Sequence, residues 1–316
     1  MTNVLAVEAM LLLTDAKGRP FEPASIDPEG IAPVPGGFLV STEAIPRRGV
    51  PAAIAEHGPD GRRRRELSLP DHFLPGPGKG VRENLGFEGL AVTRDGRYLF
   101  AAVENALEQD GPVADAGVAS PTRLLRFDLA AGGPPAEFVY VVDPVTPEPK
   151  EAGAFRVNGL SDLLPLGEDR LLVLERQYVE GTGNAARIHE VSLAGATDVS
   201  GRSSLAGTSF TPLRKTLLVD FAAIGVPLEN FEGMCFGPPL PDGRASLFVV
   251  SDDNFNPTQE STTFLFFALD RAPMKVARIQ GASHRSPLEG SLVFGVPGVV
   301  TAVDRDPRNA GFWIES

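Results

Sequence analysis

"EGLAVTRDGRYLFAAVE", Glu88 to Glu104, decides the fold. A Glu–Gly pair opens an apolar run, Asp95–Gly96 makes a tight turn, and a second apolar run ends on an acid, which together read as a β-hairpin. The pattern returns in "EGIAPVPGGFLVSTE" (Glu29–Glu43), "NGLSDLLPLGEDRLLVLE" (Asn158–Glu175), "EGMCFGPPLPDGRASLFVVSD" (Glu232–Asp252) and, most weakly, "PGVVTAVDRDPRNAGFWIE" (Pro297–Glu315). Two more strand-like runs follow each complete hairpin: "RLLRFDL" and "AEFVYVVD", for example, or "ARIHEVSL" and "TLLVDF". Four strands per unit, repeated around an axis, predict an all-β β-propeller. Five blades are counted, with six as the alternative if Asp143–Arg156 conceals one. The last hairpin has only two strands, so residues 289–316 are expected to complete a closing blade with the N-terminal strand "VLAVEAMLLLTD", in a single domain over 1–316.

The rest of the chain agrees. The 34 Gly and 29 Pro are spread throughout, and no long segment keeps a 3.6-residue apolar period with caps. "PLRKTLLVDFAAIG" can hold one short helical turn after its strand. A net charge of −12 argues against a phosphate-backbone binder, hence no nucleic acid, and suits a soluble monomer or a cation site. The one cysteine, Cys235, excludes an internal disulfide and a thiolate metal cluster, and reads as a small core residue. No apolar run approaches the roughly 20 residues of a membrane helix. No basic segment precedes an apolar one as in a leader peptide, which leaves a cytoplasmic protein or one whose leader is missing.

Propeller geometry gives the acids a meaning. The first strand of each blade lines the axial channel, so equivalent residues of successive blades converge on one mouth. Glu29, Glu88 and Glu232, with Asn158 in the third unit, form one expected ring. Glu43, Glu104, Glu175, Asp252 and Glu315 form a second on the same face. Any one acid alone reads as a solvated strand end. A repeated set of carboxylates would be mutually repulsive without a cation. Oxygen-only ligands point to a hard ion, Ca²⁺ ahead of Mg²⁺ or Mn²⁺.

"DPEGIA", "NLGFEGLAVTRDGRYLFAAVEN", "RLLRFDL", "NGLSDLLPLGEDRLLVLER", "NFEGMCFGPPLPDGRASLFVVSDDNF" and "TFLFFAL", in that order, resemble the phytase-like family described as "esterase-like activity of phytase". The resemblance runs from about residue 4 to 269. It implies an exported, periplasmic or secreted, calcium-binding propeller that hydrolyses phosphate or carboxyl esters. Family members usually begin with a hairpin that is absent before "VLAVEAMLLLTD". Its nearest counterpart lies at the C-terminus, as in a circular permutation or a divergent member.

Other chemistries are missing. "GLSDL" lacks the last Gly of a nucleophile elbow, and His189–Glu190 open no H-E-x-x-H. "DDNFN" has Pro257 where a calcium loop needs Gly. His57, His72, His189 and His284 are scattered and read as structural or exposed. What remains is metal-assisted hydrolysis of a small-molecule ester or phosphate ester. Glu88 and Glu175 are the candidate catalytic carboxylates, with the roles of base and ligand not divided between them, and Arg176 is the candidate anion anchor. Arg47 (with Arg48), Lys215 and Asn254 are candidate substrate contacts. A lactonase or arylesterase using Glu29, Asn158 and Asp252 is one alternative; a non-catalytic calcium-stiffened binding propeller is another.

Overall fold

The structure, a computed structural model, describes residues 9–254 except 24, 148, 152 and 243, residues 262–269, and the backbone of 299–304 and 311–315. Its regular elements are almost all strands. The first blade is β1 (Pro28–Val34), β2 (Gly37–Thr42), β3 (Ala53–His57) and β4 (Arg63–Glu66). The second is β5 (Phe87–Val92), β6 (Tyr98–Val103), β7 (Ser120–Asp128) and β8 (Ala136–Val142). The third is β9 (Arg156–Pro165), β10 (Arg170–Val179), β11 (Gly183–Ser192) and β12 (Arg214–Asp220). Each of these sheets is antiparallel and in sequence order. A fourth sheet holds β13 (Phe231–Phe236), β14 (Ala245–Ser251) and β15 (Phe264–Leu269), and the last hairpin is β16 (Val299–Asp304) with β17 (Gly311–Glu315). The expected fourth strand of the fourth blade, "KVARIQ", lies outside the described residues.

The innermost strands stand side by side, β1 against β5, β5 against β9 and β9 against β13, which is the propeller arrangement. Strand parity shows why the blades stack. On β6, Leu99, Ala101 and Val103 pack toward the first blade, whereas Phe100 and Ala102 pack toward the third. On β10, Leu171 and Val173 face the second blade and Leu172 and Leu174 the fourth. A strand buried on both faces loses the apolar–polar alternation of a half-solvated one, so these segments read as continuous apolar runs. Phe87 and Phe231 are fully buried between blades.

The Glu–Gly pairs follow from the same stacking. A Cβ on Gly30 would lie 2.4 Å from the Glu88 carbonyl oxygen and 2.6 Å from Leu90 Cβ, so only glycine lets the second blade approach this closely. Gly30→Ala is expected to lower stability by about 1–3 kcal/mol, read as a lower denaturant midpoint at unchanged slope. A midpoint equal to the parent's would mean that the blades separate freely at this seam.

Three sequence expectations change or fall outside. Cys235 is exposed rather than in the core, because its neighbours Met234 and Phe236 take the inward parity toward the third blade. Residues 9–13 form no strand, and Thr14 bridges in parallel to Arg62 of the first blade. Residues 1–8, on which closure of the last blade by the N-terminus depends, are outside the described residues. The short helical turn is present as Phe221–Ile224, capped by the Asp220 carboxylate, which accepts from the Ala222 N–H. No helix among the described residues is long and apolar enough to cross a membrane.

Candidate functional site

Strand register identifies which residues are equivalent at the channel mouth. The pairs Pro28↔Thr42, Phe87↔Val103, Leu160↔Glu175 and Phe231↔Ser251 occupy the same place in their hairpins. One residue further along, the first strands present Glu29, Glu88, Ser161 and Glu232, and the second strands Glu43, Glu104, Arg176 and Asp252. The third blade therefore contributes a hydroxyl and a guanidinium where its neighbours contribute two carboxylates. The expected Asn158 and Glu175 are displaced from the ring, by three positions and by one. A shift of one residue turns a strand side chain to the other face, and Glu175 accordingly faces back toward the second blade.

The acids of the other blades do converge. Ligand oxygens of Glu43, Glu88 and Glu104 lie within 4.8 Å of one another, as do those of Asp27, Glu29 and Glu43, so Glu43 joins two groups. Glu43 Oε1 accepts from the Gly86 N–H at 2.5 Å, and its carboxyl group hydrogen-bonds that of Glu88. Glu104 is buried, its side chain lying over Gly159 of the next blade, where a Cβ would meet it at 2.3 Å. Arg176 closes the group: its Nη2 is 3.0 Å from Glu232 Oε1 and 3.9 Å from Glu104 Oε1. The Arg176 Nε is buried and has no hydrogen-bond partner among the described residues. Asn230 donates to Glu232 at 2.8 Å, and Asp252 lies close enough to Glu232 to interact with it.

Burial and like charge act together on these groups. Loss of solvent, then the Glu104, Glu29 and Glu43 charges, raise the Glu88 carboxyl well above its ordinary range. Loss of solvent lifts Glu104 to about 7, although the Arg176 guanidinium opposes the rise. Glu29, Glu43 and Glu232 shift upward as well, with desolvation first in each. One arginine does not neutralise this many carboxylates. An all-oxygen donor set whose members resist ionisation in the folded chain fits a hard divalent ion.

A cavity of about 420 Å³ adjoins this group, with Asp27 and Glu43 on one side and Arg47, Arg48, Glu83 and Asn84 on the other. Arg47 is exposed and pairs with Glu83 at 2.9 Å. A larger cavity of about 610 Å³ lies between β4 and the β7–β8 connection, walled by Leu67, Leu69, Phe127 and Leu129. It is remote from the ring acids, so the chemistry favours the smaller one. Asn254 sits in a turn with φ of 52° and donates its N–H to Asp252. Glu315 ends β17 opposite Val299, and its side chain is outside the described residues.

Glu175, Asn158 and Lys215 form a separate cluster. Glu175 Oε1 accepts from Tyr140 Oη at 2.6 Å and Lys215 Nζ at 2.7 Å; its Oε2 accepts from Asn158 Nδ2 at 3.1 Å and the Asp143 N–H at 3.2 Å. Four donors, Lys215 among them, satisfy this carboxylate, so with Lys215 in place it is available neither to the channel ring nor as a free base. The residues that sequence reading missed are Asp27, which no repeat marks, and Asp143, Tyr140 and His189, which surround Glu175.

The family model for phytase-like proteins, described as esterase-like activity of phytase, matches residues 2–255. An uncharacterized secreted protein of Arthroderma benhamiae is 26% identical over 220 residues, covering 57% of this chain and 41% of that protein. The chain thus spans about two-fifths of the length of that curated relative.

Proposed function

The chain belongs to the phytase-like family, and from that premise we propose that it is a calcium-dependent hydrolase of a phosphate ester or related small-molecule ester, working at the acid-lined mouth of its propeller channel. The observation that carries this reading is the meeting of Glu43, Glu88 and Glu104, from two blades, within 4.8 Å beside Arg176. Glu43 and Glu104 would hold the ion beside Glu88, with Glu29 and Asp27 grouped on the other side of Glu43. Bound there, Ca²⁺ would polarise a phosphoryl or acyl oxygen and acidify a water. Glu88, whose burial and acidic neighbours favour its protonated form, would serve as general base toward an attacking water once a cation offsets those charges. Arg176, held against Glu232 and Glu104, supplies the positive charge beside these carboxylates for an anionic substrate, and Arg47 and Arg48 wall the cavity that takes the rest. A five-bladed ring closed by both termini, and an extracellular setting rich in Ca²⁺, belong to the same reading; the secreted relative supports the latter.

The test is to strip and restore Ca²⁺ while assaying p-nitrophenyl phosphate, phytate, p-nitrophenyl acetate and a lactone. Turnover of a phosphate or acyl ester that disappears with chelator and returns with Ca²⁺ is expected. Lactone opening alone would favour a lactonase, and thermal stabilisation without turnover a binding propeller.

The same site sets a pH dependence of stability. Glu104, at about 7 in the folded chain against an ordinary 4.5, retains a proton that the unfolded chain has released at neutral pH. Its stabilising contribution is therefore whole below about pH 4.5 and is lost as the pH rises to about 7. Glu29, Glu43, Glu88 and Glu232 act in the same direction. Ca²⁺-free protein is expected to melt several degrees lower at about pH 8 than at about pH 5. Saturating Ca²⁺ should restore most of that loss, by an increment that grows with pH. Differential scanning fluorimetry with and without Ca²⁺ measures both, and an increment independent of pH would detach the ion from these carboxylates.

A further inference from the structure

We propose that Asp143, Glu175 and His189 form a second cation site, suited to a borderline transition metal such as Zn²⁺, which Lys215 fills in the resting chain. Ligand atoms of the three residues lie within 4.8 Å of one another, on the face of the third blade that meets the second. Lys215 Nζ is 2.6 Å from Asp143 Oδ1 and 2.7 Å from Glu175 Oε1, where a bound cation would sit. Its ammonium also lies over the Tyr140 ring, 4.9 Å from the centroid.

The imidazole gives this cluster a character that the channel acids lack. His189 is 4% exposed, and its Nδ1 has no hydrogen-bond partner among the described residues although it is 3.9 Å from Glu175 Oε1. A buried ring nitrogen left without a partner is uncommon and calls for an explanation. Its Nε2 is 3.6 Å from Asp143 Oδ2. One nitrogen and two carboxylates make a donor set for Zn²⁺ or Co²⁺ rather than for Ca²⁺. Both inner ligands pair next to register shifts, at Leu174/Glu175 and Ile188/His189, where the extra residues are Ser161 and Leu218 of the neighbouring strands and the ladder is locally interrupted. Tyr140 and Asn158 hold the Glu175 carboxylate in place as outer partners of a metal ligand do. The nearest other cation, Arg187, is engaged by Asp220 at 3.1 Å.

Lys215 can leave. It enters from β12, the outer strand of its blade, where Arg214, Thr216, Leu217 and Leu218 are exposed. Its flexible four-carbon stem can carry the ammonium into solvent without moving the backbone. Asp143, whose side chain is 36% exposed, leaves an entrance.

The experiment uses the full chain with Ca²⁺ in excess, so that the channel acids are occupied, and titrates Co²⁺ while reading its visible absorption. Wild type is expected to develop the bands of nitrogen-ligated Co²⁺, and His189→Asn to lose them. Lys215→Met should bind at least about tenfold more tightly, since a competing cation is removed. Circular dichroism melts establish that each variant is folded. The proposal is overturned if wild type shows no band at about 1 mM Co²⁺, if His189→Asn binds as tightly as wild type, or if folded Lys215→Met binds no better. Should Lys215→Met fail to fold, the comparison of wild type with His189→Asn decides alone. No turnover is measured, so the result is independent of the hydrolase reading.

Discussion

Glu88→Gln is expected to lower ester hydrolysis by roughly 10²–10⁴-fold, the usual contribution of a positioned general base, while the protein stays folded. Glutamine keeps the size of the side chain and can occupy its place beside Glu43 and Glu104, but it cannot take a proton from water. The loss should fall on kcat, because Arg176 and the cavity proposed to take the substrate are untouched. Raising Ca²⁺ distinguishes base from ligand. If Glu88 were chiefly a ligand, excess ion would restore activity; as the base it leaves the deficit at every Ca²⁺ concentration. Removing one of the clustered carboxylates should also stabilise the Ca²⁺-free protein near pH 8, where its repulsion with Glu104, Glu29 and Glu43 is greatest. Glu175→Gln is the contrasting variant. That carboxylate is already satisfied by Tyr140, Lys215, Asn158 and a backbone N–H, so its loss should lower stability and reduce kcat less than tenfold. A Glu88→Gln enzyme with parental kcat would falsify the assignment of the base.

Much of the molecule was legible from hairpin grammar. The Asp–Gly and Gly–Glu–Asp turns, each between two apolar runs, mark inner hairpins, and the Glu–Gly pair marks where a neighbouring blade presses on the backbone, as Gly30 shows. The acids of the first, second and fourth blades were found because they occupy equivalent positions. The third blade misled for a physical reason. "NGL" mimics "EGL", but the pairing Leu160↔Glu175 puts "LSD" where the others have "FEG" or "PEG". Strand side chains alternate with period two, so reading the second strand one residue early replaced Arg176 with Glu175 and reversed its face. The basic member of the ring was therefore named as an addition to the site rather than as the counterpart of Glu104. The sequence makes Lys215 a candidate substrate contact because phosphate recognition needs a guanidinium or ammonium beside the ion. Its actual partners, Asp143 and Glu175, come from elsewhere in the chain, and sequence spacing carries no sign of them.

Arg123→Met is expected to cost about 3–5 kcal/mol of stability, more than any other single substitution considered for this protein. Arg123, in the middle of β7, is fully buried and binds two carboxylates that are themselves buried. Its Nε and Nη2 reach Asp110 at 2.6 and 3.0 Å, and its Nη1 reaches Glu137 Oε2 at 2.7 Å. His72 Nε2 stands 2.9 Å from the same Glu137 oxygen, and Asp110 also accepts from the Leu205 N–H. The guanidinium thus ties the loop before β5 and the segment around Leu205 to the outer strands of the second blade. Methionine fills much of the volume but leaves two carboxylates in a dry interior without their cation. Each is then a desolvated acid with its partner removed, which costs more than the cavity alone. Urea titrations at about pH 8 measure this. Adding Glu137→Gln to Arg123→Met should recover part of the loss, because one of the two stranded acids is gone. A loss under about 1 kcal/mol at pH 8, or a double variant no more stable than the single, would show that water reaches these acids and that the network does not hold the second blade together.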